Sequence, residues 1–197
     1  MTADRVPVCL VGFDREVRDL ILASGRHYAG YADRMAVGPG YLGKDEDVLS
    51  QGYDFAFGML APKLRAALHP RYSGRLPILT APSSVIAADA LLGEGTTAQH
   101  HSTLMSEARE GACVQMHVGV TIHHETVVGD YCSIASHAVL LGRVTVGQRS
   151  FIGAGAVIRD GCRVGSDVTI GAGAVVVCDI PDGSLVVGVP AKPIRKG

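Results

Sequence analysis

The chain has 197 residues, room for one ordinary domain or two small ones, with 47% hydrophobic and 19% charged side chains and a formal charge of −1. That balance excludes a disordered chain, a charged coiled coil, and the basic field that would draw a protein onto nucleic acid or an anionic membrane. No uncharged stretch exceeds about 14 residues, short of the ~18 to 20 that a membrane-spanning helix needs. Asp4, Arg5 and Pro7 before a brief apolar run are unlike a secretory signal.

From Val6 to about Arg75 the chain alternates like a small α/β unit. Val8–Val11 reads as a strand ending at Gly12, and Val17, Leu20 and Ile21 give Glu16–Ala23 the spacing of an amphipathic helix. A second strand is expected at Tyr28–Tyr31, a short helix at Glu46–Ser50 and a third strand at Phe55–Phe57. Ala61–His69 follows as a helix with Pro62 in its first turn. The pattern is βαβαβ, a Rossmann-like unit.

Beyond Ser84 a different rule holds. Stepping by six from Ile86 to Val176 meets an apolar residue every time except at Glu110. Four residues after each, from Ala90 to Ala174, stands Ala, Thr, Ser, Val or Cys. A six-residue period fits neither a helix nor an alternating strand, and predicts a parallel β-helix of stacked hexapeptides. The aliphatic residue points inward, and the small one lets adjacent turns approach. Residues 1–80 and 81–197 are expected to be separate domains.

The five cysteines, at 9, 113, 132, 162 and 178, form no CxxC pair and read as reduced thiols of a cytoplasmic protein. Six of the eight histidines lie between 100 and 137, and His123 and His124 fall just after the inward Ile122, at an outward corner of a coil. A zinc reading of that cluster meets an obstacle in the spacing. Stacked coils are three hexapeptides apart, and no two of these histidines differ by that interval. No metal is expected.

The hexapeptides, the segment Thr121–Asp130, the segment Phe151–Ala156 and the ending Val187–Lys192 resemble the bacterial sugar acetyltransferases of the sialic-acid O-acetyltransferase and nucleotide-sugar N-acetyltransferase type. The resemblance implies a Rossmann-like substrate domain joined to a left-handed β-helix, working as a homotrimer with acetyl-coenzyme A. It places the general base on His124, supported by Glu125, and acetyl-coenzyme A against Ser133, Gly142, Ala154 and Ala172. His117 takes a position near the base that is often Asn. Lys192, with Arg195 and Lys196, puts cations where the coenzyme phosphates would lie.

The first domain departs from the family pattern. Its Gly-rich phosphate loop is reduced to Gly12-Phe-Asp14-Arg15-Glu16, and the acidic pair after the second strand is Asp33-Arg34. Gly58 stands for the glycine after the third strand, and His123 completes the candidate acceptor contacts. The expected activity is N-acetylation of a nucleotide-linked amino sugar, without nucleic acid or membrane partners. O-acetylation of a free or polymeric sugar is the close alternative. A zinc enzyme like the γ-type carbonic anhydrases and a non-catalytic scaffold are more distant ones.

Overall fold

The computed structural model describes residues 6–35, 38–59 and 61–194. Strands β1 (Val8–Val11), β2 (Tyr28–Ala32), β3 (Tyr41–Gly43) and β4 (Asp54–Phe57) form one parallel sheet in the order β3-β2-β1-β4. β1 is buried on both faces, which accounts for its unbroken apolar run. Helix α1 (Arg15–Ala23) starts where the Asp14 carboxylate accepts the Val17 N–H at 2.9 Å. It packs Val17, Leu20 and Ile21 with Val8 and Leu10.

The expected elements are present with small shifts. Helix α2 (Asp45–Leu49) begins a residue early because the Lys44 N–H donates to Asp47 Oδ2 at 2.8 Å, fixing its first turn. Helix α3 (Pro62–Leu68) ends before His69, and His69–Arg71 tightens into a 3-10 turn, because Pro70 has no N–H with which to continue the helical ladder. β3 was not expected. Three residues after Gly38-Pro39-Gly40 are too few to show a period.

The second part is the parallel β-helix. Two-residue strands starting at Leu79, Thr97, Gln115, Ser133, Phe151 and Thr169 stack as one face, continued by Leu185–Val187. A second face runs from Val85 to Val176 and a third from Leu91 to Val164. Thr97 pairs with Gln115 and Gln115 with Ser133, so a coil closes after 18 residues as the hexapeptides predict. The inward row from Ala98 to Val176 is buried throughout. Lys192–Pro193 turns back antiparallel on Leu185–Val187 and closes the prism. At the other end Leu79–Thr80 already pairs with Thr97–Ala98, so the β-helix begins two residues before the expected break.

One arginine joins the two parts. Arg65 of α3 is 1% exposed and has no carboxylate among its hydrogen-bond partners. Its guanidinium donates to the carbonyls of Met59 (2.8 Å), Cys113 (3.2 Å), Tyr131 (2.7 Å) and Cys132 (3.1 Å). It also donates to Gln115 Oε1 at 2.9 Å and the Ser133 hydroxyl at 2.9 Å. Burial pulls it down to about 10, which still leaves it charged at neutral pH. Gln115 Nε2 reaches back to the Phe57 carbonyl at 2.9 Å. His69 bridges the Glu94 carboxylate at 2.7 Å and the Tyr131 hydroxyl at 2.8 Å.

Glu110, the single break in the apolar row, points inward as the row predicts. It is 5% exposed, stacked between Leu92 and Val128, and neither carboxyl oxygen has a partner among the described residues. Desolvation pushes it up to about 8, so it is protonated at neutral pH. The folded state then binds a proton that the unfolded chain has released. Stability is therefore highest below the ordinary carboxylate range and falls as pH rises toward 8, by at most about 5 kcal/mol. Urea unfolding at pH 5, 7 and 9 should show this decline. Glu110→Leu should flatten it and stabilise the protein at pH 9 by on the order of 2 kcal/mol. A Leu variant that is less stable, or equally pH-dependent, contradicts the assignment.

Candidate active site

The corner between the second and third faces carries the principal candidate. After the strand Thr121–Ile122 the chain passes His123 and turns through His124 and Glu125, with Glu125 at φ +57°. The tight turn lets consecutive side chains meet, as they could not on a straight strand. His124 Nδ1 lies 3.0 Å from Glu125 Oε2, and the side chains are 45% and 49% exposed. With Nδ1 held by the carboxylate, Nε2 is the nitrogen left to exchange a proton. His123 stands beside it, ring centroids 6.5 Å apart.

One coil above, Gly142 and Arg143 occupy the same two turn positions. A Cβ on Gly142 would lie 2.6 Å from His124 Cε1 and 2.7 Å from Nε2, so the imidazole fills the space that the glycine leaves open. Arg143 stands 3.9 Å from Glu125 Oε2 and donates to Asp160 Oδ2 at 2.5 Å. Arg143 belongs to no motif of the sequence. Its signal is its place 18 residues after Glu125.

The other expected residues divide between two cavities that flank the β1–α1 loop. A cavity of about 320 Å³ at the domain junction is lined by Asp14, Arg15, Glu16, His117, Phe151 and Ala154, among others. There His117 Nδ1 meets Glu16 Oε2 at 3.2 Å, and His117 Nε2 is buried without a partner among the described residues. Asp14 is committed to capping α1. A second cavity, of about 380 Å³, opens at the carboxyl ends of β1, β2 and β4 and is lined by Gly12, Asp33, Arg34, Asp45, Gly58 and several apolar side chains. A Cβ on Gly58 would come 2.2 Å from the Gly12 carbonyl, so only glycine fits there. Asp33 Oδ1 accepts the Met35 N–H at 2.8 Å, and the 69% exposed Arg34 reaches Asp45 at 3.9 Å.

The expected coenzyme contacts do not lie together. Ala154 and Ala172 are exposed and stack at the corner between the first and second faces, whereas Gly142 shares the His124 corner. Ser133 needs correction. It is fully buried against the first domain, where its hydroxyl accepts from Arg65, so no ligand reaches it. Lys192 is exposed on the closing strand, and Arg195 and Lys196 lie outside the described residues. Among the described residues no group of three His, Cys, Asp or Glu is placed to hold a metal ion, and no helix is long and apolar enough to cross a membrane.

Residues 143–178 match the family model for the bacterial transferase hexapeptide (six repeats). No curated protein matches the chain in sequence. Among solved structures, the acetyltransferase domain of PglB from Neisseria gonorrhoeae superposes with a TM-score of 0.89 at 27% identity, covering 96% of this chain and 100% of that one. It has also been solved with acetyl-coenzyme A. PerB from Caulobacter crescentus, solved with coenzyme A and GDP-perosamine, superposes with a TM-score of 0.90 at 27% identity, covering 96% and 97%. WeeI from Acinetobacter baumannii, at 22% identity and a TM-score of 0.81 over 95% and 99% of the chains, shares the fold. The resemblance read from the sequence is borne out over both parts, and the prism is a left-handed β-helix.

If His124 serves acyl transfer, its contact with Gly142 has a measurable consequence. Gly142→Ala keeps the coil, since the new methyl points out of the prism, but pushes the imidazole off Glu125. A displacement of about 1 Å costs on the order of 10²-fold in rate. Loss of that order, with an unchanged unfolding midpoint, is the expected outcome in a thiol-release assay. Full activity would mean that the ring position is unimportant.

Proposed function

We propose that this chain, an acyltransferase built as the left-handed β-helix sugar N-acetyltransferases are, moves the acetyl group of acetyl-coenzyme A to the amino group of a nucleotide-linked amino-deoxy sugar. The observation that carries the reading is the His124–Glu125 pair set beside a residue with no side chain. Glu125 fixes the tautomer with the proton on Nδ1, leaving the Nε2 lone pair to accept a proton. The acceptor amine gives that proton to His124 as its nitrogen attacks the thioester carbonyl. The C–N bond forms and the C–S bond breaks, and the leaving thiolate takes the proton back from the imidazolium. The backbone N–H of Gly142 has no partner among the described residues and is the candidate donor to the thioester oxygen.

The same reading calls for more than one copy of the chain. Ala154, His117 and the junction cavity sit at one corner of the prism, His124 and Gly142 at another, with the second face between them. A homotrimer brings unlike corners of neighbouring copies together. Acetyl-coenzyme A then lies between two prisms, its arm along Ala154 and Ala172 and its phosphates toward Lys192. The nucleotide is held at the carboxyl ends of β1, β2 and β4, by Asp33 and Arg34. A reducing compartment, the cytoplasm, suits the five unpaired cysteines.

O-acetylation of a free or polymeric sugar is the second reading. It is favoured by Asp14, whose carboxylate already takes the α1 N–H that would otherwise face a phosphate.

A thiol-release assay with acetyl-coenzyme A, run against nucleotide-linked amino sugars including GDP-perosamine and against their free forms, separates the two. Turnover with a linked amino sugar, reduced ~10²- to 10⁴-fold in His124→Ala without loss of assembly, is expected. A fully active His124→Ala enzyme contradicts the mechanism. Turnover with hydroxyl acceptors alone gives the second reading its place.

A further inference from the structure

The turn position of His124 recurs every 18 residues, at Gly142 and then at Asp160. Because Gly142 carries no side chain, the groups one coil below and one coil above it converge on the same space. A Cβ on Gly142 would stand 2.7 Å from His124 Nε2 and 2.9 Å from Asp160 Oδ1. The other oxygen, Oδ2, is held by Arg143 at 2.5 Å, and Oδ1 has no partner among the described residues. Arg143 also faces Glu125 at 3.9 Å, so one guanidinium steadies the carboxylate behind the imidazole and the carboxylate in front of it.

We propose that Asp160 is an acceptor-binding residue that selects an amine over a hydroxyl at the reacting position. The inference rests on His124 being the base. With Nδ1–H turned to Glu125, Nε2 is a hydrogen-bond acceptor, and Asp160 Oδ1 is another. A primary amine brings two N–H donors and satisfies both, which leaves its lone pair free for the thioester carbon. A hydroxyl has one O–H. It can satisfy His124 or Asp160, and the unmet one then faces the lone pairs of the hydroxyl oxygen. In the transfer itself Asp160 keeps its charge: the proton leaves the nitrogen for Nε2, and Oδ1 holds the remaining N–H.

Asp160→Asn tests this, since the amide oxygen can still accept from Arg143 and the site is an exposed corner. The first readout needs no acceptor. The charged or titratable groups around the His124 ring are Glu125, Asp160 and Arg143, with His123 beside it and Glu107 one coil below. Removing the Asp160 charge should move the His124 ring resonances in NMR spectra recorded at one fixed pH. The second readout is kinetic. With GDP-perosamine, or the linked amine from the same panel that reacts fastest, kcat/KM should fall ~10- to 100-fold while the KM for acetyl-coenzyme A holds. The preference for that amine over its hydroxyl analogue should shrink with it.

Unmoved His124 resonances overturn the placement. Moved resonances with unchanged kcat/KM and unchanged amine preference overturn the role. A wild-type protein inert toward every linked amine sinks the proposed function and this inference together. An active wild type with an unaltered Asp160→Asn variant sinks only the inference.

Discussion

Up to Val176 the coils of the prism close after 18 residues and hydrogen-bond to one another without a slip, and that register decides which side chains of this protein can meet. Parallel pairing on three faces leaves the chain no freedom to slide, because a shift of one residue would turn the inward row outward. Residues 18 apart therefore stand over one another: Glu125 under Arg143, His124 under Gly142, and Gly142 under Asp160. The candidate chemistry is a column read vertically through a chain written horizontally. Its exposed groups sit on turns, yet the turns are as fixed as the strands they join.

The same stiffness explains how the smaller domain is carried. Arg65 enters the outer surface of the prism where Gln115 and Ser133 are polar; it binds the Cys113 and Tyr131 carbonyls and shares the Cys132 carbonyl with the Gln115 N–H. A guanidinium without a counter-carboxylate is tolerated there because its hydrogen bonds are met by oxygens of fixed geometry. Removing it would strand several buried acceptors at once. The junction cavity, with Glu16 of α1 against His117 of the prism, inherits its shape from this joint. The cavity is a product of docking, and neither domain has it alone.

These two facts also account for what the sequence discloses and what it hides. The β-helix is legible because each hexapeptide repeats one inward and one small residue, and even the exception, Glu110, falls where the period puts it. His124 and Glu125 are legible as corner neighbours for the same reason. Ser133 is the informative error. It precedes the inward Ile134 and so faces outward, but the docked domain covers it, and no local pattern announces docking. Arg65 reads as an ordinary helical cation and β3 as loop, since both owe their state to partners distant in sequence. Asp160 looks like a turn aspartate before Gly161 until it is set two coils above His124.

In the proposed mechanism the base of one working site and the junction cavity that faces it come from different copies of the chain. Co-assembly of a His124→Ala chain with a chain altered in the junction cavity (Glu16→Ala and His117→Ala) tests it most directly. Each variant alone should be nearly inactive, and a statistical mixture of trimers should recover about a quarter of the wild-type sites. Mixed assemblies that form but stay as inactive as their parents would contradict a site shared between copies.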